Sequence, residues 1–376
     1  MLKNFTQNKK ILVAMSGGVD SSVVAATLKE AGHDVIGVTM SLYCTTNASD
    51  RSCCSAEAAN DAKKVADKLG IPHYVLNFKA DFEKTVIQDF IAEYKAGRTP
   101  NPCIRCNQFL KFDHLLAKAR ELGAEYIATG HYARVGVRGK GIEGSKKIYS
   151  APYSLPPNPL TLLKGLDSRK DQSYVLYRLT QEQLAQTLFP LGEMTKDEVR
   201  KLAKKYKLPV AEKKESQEIC FIADDDYGRF LKEKIPAVVK PGDIVDKTGK
   251  VVGRHEGIVF YTIGQRKGIG AHRGEPKYVI SLDAKNNKVV IGDNDDLLRR
   301  ELIADQVSFI SGEWPAGALE VGAKIRYNSK EAPAVITPLS VGKMKVEFKG
   351  PQRAVTPGQS VVFYEGEEVL GGGLIS

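Results

Sequence analysis

Apolar and polar positions in the first half of the chain switch between two periods. Ile11-Leu12-Val13-Ala14-Met15 is an unbroken apolar run of strand length. After a short polar break, Val23, Val24, Ala25, Ala26 and Leu28 continue on a helical spacing. Val35–Met40 reads as a second strand, Ser55–Leu69 as a helix and Tyr74–Phe78 as a third strand. Phe82–Lys95 puts Val86, Phe90 and Ile91 at helical spacing, Phe109–Leu122 is another helix, and Tyr126–Thr129 another strand. Strands alternating with helices predict a parallel sheet covered on both faces, with a ligand crevice at the C-terminal ends of its strands. Helical patterns return at Asp171–Leu188 and Lys196–Tyr206. Before them, Gly136–Leu160 is rich in Gly, Ser, Lys and Pro and reads as a long exposed connection or hairpin. Beyond about Lys240 the texture changes to short β-rich segments: Lys277–Leu282, Lys288–Gly292, Ala323–Tyr327, Lys343–Phe348 and Ser360–Phe363. Turn residues separate them, as in a small β-barrel. The fold class is therefore α/β, with a Rossmann-like parallel sheet first and a β-barrel last.

The break between the first strand and helix is Ser16-Gly17-Gly18-Val19-Asp20-Ser21-Ser22. Two glycines permit unusual dihedrals and close approach of a ligand, and a helix N-terminus with serine hydroxyls suits an anion. It reads as a phosphate cradle. It is not the Walker loop, because no Gly-Lys-Ser/Thr follows. The turn resembles the pyrophosphate loop of the ATP pyrophosphatase superfamily, whose members split ATP to AMP and pyrophosphate.

Charge and cysteines refine this. The 376 residues carry 55 Lys and Arg against 45 Asp and Glu, a net +10 that suits a polyanionic partner or simply a basic enzyme. Lys196–Lys214, with eight basic and three acidic residues, is either a face for a nucleic-acid backbone or a solvated helix. No apolar run is long enough for a membrane span, and the polar start is unlike a signal peptide, so a cytoplasmic protein with no membrane partner is expected. Of six cysteines, Cys44, Cys53 and Cys54 receive no role. Cys103-Ile104-Arg105-Cys106 precedes a helix and lies either on its first turn or in the loop feeding it; a helix N-terminus favours thiolate, and Arg105 and Lys111 are near in sequence. With Cys220 far along the chain, three chemistries compete: zinc, which lacks a fourth ligand; a redox or persulfide pair of Cys106 and Cys220; and an iron–sulfur cluster on Cys103, Cys106 and Cys220. Buried inert thiols are the plain alternative.

Six segments occur in order: Ala14–Ser22, Asn101–Asn107, Thr129-Gly130-His131-Tyr132, Lys170-Asp171-Gln172-Ser173-Tyr174, Glu215–Phe221 and Tyr261–Gly268. Together they resemble the bacterial tRNA-specific 2-thiouridylases over essentially the whole chain. The resemblance implies three domains: an ATP pyrophosphatase domain over 1–222, a small central α+β domain over 223–295 and a barrel over 296–376. It implies an enzyme that adenylates the C2 oxygen of the wobble uridine and replaces it with sulfur. ATP would lie on Ala14, Met15, Ser16, Gly17, Gly18, Val19, Asp20 and Ser21, with Met40 and Gly130 lining the nucleotide. Cys106 matches the nucleophile and Cys220 the persulfide carrier. Asn101, Pro102 and Cys103 fall where the family meets the target base, with His131 and Gln359 beside the substrate. Lys170, Asp171, Gln172, Arg326 and Tyr327 match tRNA-contacting positions. The tRNAs implied are those for lysine, glutamate and glutamine, held by the anticodon stem-loop. The implied sulfur donor is a cysteine desulfurase, directly or through a relay protein. Some members carry aspartate where this chain has Cys103, so the thiol here takes over proton work or joins a [4Fe-4S] cluster. The 136–160 connection is longer than the family usually carries.

The chemistry asks for Mg²⁺ on the triphosphate, with help from Asp20 or from the phosphates alone; Asp20 equally reads as a helix cap. A lone histidine is more often structural, but Thr129-Gly130 at a strand end favours a role for His131 at the substrate. Two rivals remain: an amidating ATP pyrophosphatase, which needs neither Cys106 nor Cys220, and a non-catalytic RNA-binding protein, which would release no AMP on adding tRNA.

Overall fold

In the computed structural model of the chain, residues 8–43, 56–137, 159–214, 221–222, 226–236, 239–269 and 276–376 are described. Cys44, Cys53, Cys54, Cys220 with the rest of 215–220, and the interior of the long connection, 138–158, lie outside them. Among the described residues of the first half, seven strands occur: β1 (Lys10–Ala14), β2 (Asp34–Ser41), β3 (His73–Asn77), β4 (Tyr126–Ala128), β5 (Ala133–Val137), β6 (Leu160–Lys164) and β7 (Thr187–Leu188). Five form a parallel sheet in the order β3-β2-β1-β4-β7. Its helices include α1 (Val19–Glu30) and α2 (Ala56–Leu69). Because side chains alternate along a strand, Leu12 and Val38 enter the core on one face, while Ile11, Val13 and Val35 enter the core on the other with α1 and α2. Both faces are dry, which is why β1 has no polar residue after Lys10.

Two helical runs cover the first face. One spans 79–95 with a π-turn at Glu83–Ile87, and the other spans 102–121 with a π-helical stretch at Cys106–His114. The second starts seven residues earlier than the apolar pattern suggests, because Asn101 caps it and Pro102 opens it. The helix expected over Asp171–Leu188 is not one element. It divides into a 3₁₀ turn at Ser173–Leu176, a helix at Gln181–Ala185 opened by a Thr180/Gln183 capping box, and the edge strand β7. The break lets Tyr174 and Tyr177 turn toward Ser360, whose carbonyl and hydroxyl meet their phenol groups at 2.7 and 3.1 Å.

The central region carries β8 (Gly242–Val245), β9 (Val251–His255), β10 (Tyr278–Asp283) and β11 (Lys288–Gly292), paired in the order β10-β11-β8-β9. The last strands are β12 (Leu298–Phe309), β13 (Leu319–Lys324), β14 (Ala332–Ser340), β15 (Lys343–Arg353), β16 (Ser360–Glu365) and β17 (Glu368–Ile375). They run β12-β15-β14-β13-β16-β17, and pairing of β12 with β17 closes them into a six-stranded barrel. The base of the expected hairpin is real: β5 and β6 pair antiparallel, and β6 pairs with β17, so the first half of the chain lends two strands to the barrel sheet. Arg326 and Tyr327 lie in the turn after β13 and not in a strand as the pattern suggested. Among the described residues no helix is long and apolar enough to cross a membrane.

Candidate active site

The glycine turn lies at the C-terminal end of β1, as the strand–loop–helix pattern requires. Gly17 adopts φ +68°, and a Cβ there would stand 2.3 Å from the Ala58 carbonyl oxygen of α2, so only glycine fits. Gly18 is the N-cap of α1 and provides no side-chain cap, which leaves first-turn N–H groups to a ligand. The Ser16 N–H donates to Ser21 Oγ at 3.1 Å, and Ser22 Oγ donates to the Gly18 carbonyl at 2.7 Å, fixing the curve of the loop. Met15 is buried beneath it, Ala14 and Met40 are partly buried beside it, and Ser16 is exposed at its crest.

Asp20 is not the helix cap, a position held by Gly18. Both its oxygens accept from Lys196 Nζ, at 2.7 and 2.8 Å, and Oδ1 also accepts from the Tyr132 hydroxyl at 3.0 Å. Lys196 is buried, and its backbone N–H donates to Asp167 at 3.1 Å. Both carboxylate oxygens of Asp20 are thus already engaged within the protein. Lys213 reaches the same turn, 3.2 Å from the Gly17 carbonyl and 2.7 Å from Asp61. Two ends of the basic 196–214 stretch thus serve the loop. Sequence reasoning missed Lys196, Lys213, Asp61 and Tyr132; the readable signal was the Thr195/Glu198 capping box, which places Lys196 at the start of helix Lys196–Lys205.

Residues 129–131 join the loop to the cysteine helix. Gly130 is packed so closely on α1 that a Cβ would stand 3.0 Å from the Ser21 nitrogen and 3.1 Å from Asp20 Cβ. The next side chain, His131, is buried, its Nδ1 2.8 Å from Thr129 Oγ1, and its ring lies 5.8 Å from Phe112 and 6.2 Å from Phe189. Burial, and then the charge of Lys111, push its pKa well below the ordinary histidine value, so it is a neutral, packed imidazole. Arg105, also expected to favour thiolate, is instead bound to Asp89 (3.3 Å), Gln108 (3.3 Å) and barrel residue Gln306 (3.0 Å). Cys103 is exposed in the first helical turn, its N–H donating to Asn101 Oδ1 at 3.1 Å, and Cys106 is buried one turn on. Among the described residues no three His, Cys, Asp or Glu side chains gather as metal ligands. Cys103 and Cys106 are the described members of the expected cluster set, and its third member, Cys220, lies outside the described residues.

Three parts of the chain meet beside Asn101–Cys103. Thr99 donates its N–H to the Pro357 carbonyl (2.8 Å), accepts from Gln359 Nε2 at its own carbonyl (2.7 Å), and its hydroxyl lies 3.4 Å from that of Thr262. Arg326 donates to the carbonyls of Ile263 (3.0 Å) and Ala354 (3.2 Å) and to the Thr356 hydroxyl, tying the barrel to the central region. Tyr327 sits edge-on to Tyr174 at 6.0 Å. Burial, the first cause, raises its pKa above the ordinary tyrosine value. Asp171 accepts from the N–H groups of Gly165 and Ser173, both at 3.0 Å, and Gln172 pairs with the Tyr132 backbone, so the Lys170–Gln172 turn is fixed at the same seam. Cys220 lies outside the described residues, and its distance to Cys106 is not part of this geometry.

Three family models match the chain in succession: a tRNA methyl transferase HUP domain over residues 9–224, a tRNA methyl transferase PRC-barrel domain over 228–293, and an aminomethyltransferase β-barrel domain over 299–375. The tRNA-specific 2-thiouridylase MnmA 1 of Caldanaerobacter subterraneus subsp. tengcongensis is 53% identical over 372 residues, 98% of each chain. The tRNA-specific 2-thiouridylase MnmA of Acetivibrio thermocellus is 51% identical over 371 residues, 98% of this chain and 99% of its own. At that identity over nearly the whole of both chains, the chain belongs to the family of tRNA-specific 2-thiouridylases.

Proposed function

We propose that the protein is an ATP-dependent tRNA-uridine 2-sulfurtransferase acting on the wobble position. The observation that carries the reading is the 129–131 link. Gly130 is pressed against the phosphate loop while His131 packs against the helix bearing Cys103 and Cys106, which supports a reading in which nucleotide and thiol chemistry act side by side. The C2 oxygen of uridine is a poor leaving group. It attacks the α-phosphorus of ATP, pyrophosphate departs with the bonding electron pair, and the α1 N-terminus with Ser16, Ser21 and the glycine N–H groups stabilises the charge that develops. The terminal sulfur of a persulfide on Cys220 then adds at C2 and AMP leaves. Cys106 attacks the Cys220 sulfur, releasing 2-thiouridine and closing a Cys106–Cys220 disulfide, which an external dithiol reduces before the next turnover.

A wobble base lies in the single-stranded anticodon loop, so it is splayed into a pocket while neighbouring phosphates are tracked. Asn101, Pro102 and exposed Cys103 form the base-facing edge, with Cys103 taking proton work where other members use a carboxylate. Lys170, Asp171, Gln172 and Tyr327 line the approach. Arg326 and Gln359 hold that edge through Ile263 and Thr99, and His131 supports the floor between the two chemistries. Cytoplasmic tRNAs for lysine, glutamate and glutamine are the substrates of this reading, and a cysteine desulfurase or relay protein loads Cys220. The test is thiolation of such a tRNA with ATP and a persulfide source. Cys106→Ser and Cys220→Ser each abolish 2-thiouridine while tRNA binding persists; undiminished product in either variant removes that residue from the chemistry.

A further inference from the structure

The phosphate loop lacks the lysine with which a Walker loop grips terminal phosphates, and its one charged residue, Asp20, is an acid. A triphosphate with several negative charges therefore needs cations from elsewhere in the chain. Two lysines of a distant segment arrive, and they differ in kind. Lys196 is pinned: its side chain is 8% exposed, both its short contacts go to one carboxylate, and its backbone is tied to Asp167. Moving it would strand Asp20. Lys213 is held more lightly. Its side chain is 36% exposed, and its ammonium lies 3.2 Å from the neutral Gly17 carbonyl and 2.7 Å from Asp61.

We propose that Lys213 is the phosphate-binding lysine of this loop, passing from Asp61 and the Gly17 carbonyl onto the β- and γ-phosphates of ATP. The assignment rests on the nucleotide reading of the loop. Three features support it. The Gly17 turn, α2 and Lys213 form one packed unit, since α2 provides both Ala58, which excludes a Cβ at Gly17, and Asp61. An ammonium has three donors on a flexible stem, so it can swing a few ångströms without moving its backbone. Asp61 is not abandoned when Lys213 leaves, because Lys64 stands 3.3 Å away on the same helix. Burial opposes the charge on Asp61, and the hydrogen bonds and charges of Lys213 and Lys64 outweigh it, holding its carboxyl below the usual range. As the bond between the α-phosphorus and its bridging oxygen breaks, the electron pair passes to pyrophosphate, and Lys213 stays with that anion.

The test is calorimetric titration of the full-length protein with ATP, AMP and inorganic pyrophosphate, for wild type, Lys213→Met, Lys213→Arg and Asp61→Asn. A lost charge-assisted contact predicts ATP and pyrophosphate binding weaker by about 10- to 100-fold in Lys213→Met. AMP affinity stays as in wild type, Lys213→Arg recovers part of the loss, and Asp61→Asn binds ATP as tightly as wild type or more so. Undiminished ATP affinity in Lys213→Met overturns the assignment. So does equal weakening of AMP and ATP, or an Asp61→Asn protein that behaves like Lys213→Met, since either makes the lysine a bridge within the fold. A wild-type protein that binds no adenine nucleotide at all refutes the nucleotide reading itself, a separate result.

Discussion

Replacing Lys196 with Met removes the cation from Asp20 while keeping a stem of similar length beside Tyr132, whose ring centre lies 5.8 Å from the ammonium. With Nζ at 2.7 and 2.8 Å from the two carboxylate oxygens, the pair is bidentate. At a separation near 3 Å and an effective dielectric of ~20, the attraction is about 5 kcal/mol. Asp20 is 31% exposed, so water recovers about half of this when the partner is lost, leaving a cost of about 2–3 kcal/mol. The unpaired carboxylate also repels the triphosphate, so ATP binding weakens about tenfold for each ~1.4 kcal/mol of repulsion. Native-state hydrogen exchange of β1 and α1 amides reads the local loss, and calorimetry reads ATP. Asp20→Asn combined with Lys196→Met recovers most of the stability, because no buried charge is then left alone. A Lys196→Met protein within about 0.5 kcal/mol of wild type, or a double variant whose effects simply add, refutes the argument.

Arg326→Ala leaves the Ile263 and Ala354 carbonyls and the Thr356 hydroxyl without their shared donor, costing about 1–3 kcal/mol at the barrel–central junction. Activity falls through misplacement of the Asn101–Cys103 edge, with the salt dependence of tRNA binding unchanged; a slope shallower by about one charge would place the guanidinium on phosphate instead. His131 is neutral in the fold because its pKa lies well below that of the unfolded chain, near 6.5. Its contribution is therefore full above pH 6.5 and is lost as pH falls, by up to about 1.4 kcal/mol per unit, as the unfolded chain takes up the proton. Urea midpoints from pH 7 to 5 should drop more steeply in wild type than in His131→Gln, and parallel profiles would contradict the burial argument.

The sequence by itself determined the sheet, the glycine loop and the cysteine helix, because each is dictated locally. After Lys10, β1 is apolar because both of its faces are covered, and Gly17 is glycine because its backbone turns left-handed against α2; the apolar pattern shows the cysteine helix only from Phe109, whereas its Asn101 cap and Pro102 open it seven residues earlier. The family, too, was legible, because six short segments in order constrain the whole chain. What only the tertiary structure decided were partnerships across long sequence separation. Lys196 meets Asp20 across 176 residues, and Gln359 meets Thr99 across 260. No periodicity encodes such a pair, since each side chain has the same local preference in or out of contact. The run 171–188 misled for a related reason. Its apolar spacing suits a helix, but Tyr174 and Tyr177 find better burial and a hydrogen-bond partner at Ser360 of the barrel, and tertiary packing outweighs a propensity worth tenths of a kcal/mol per residue.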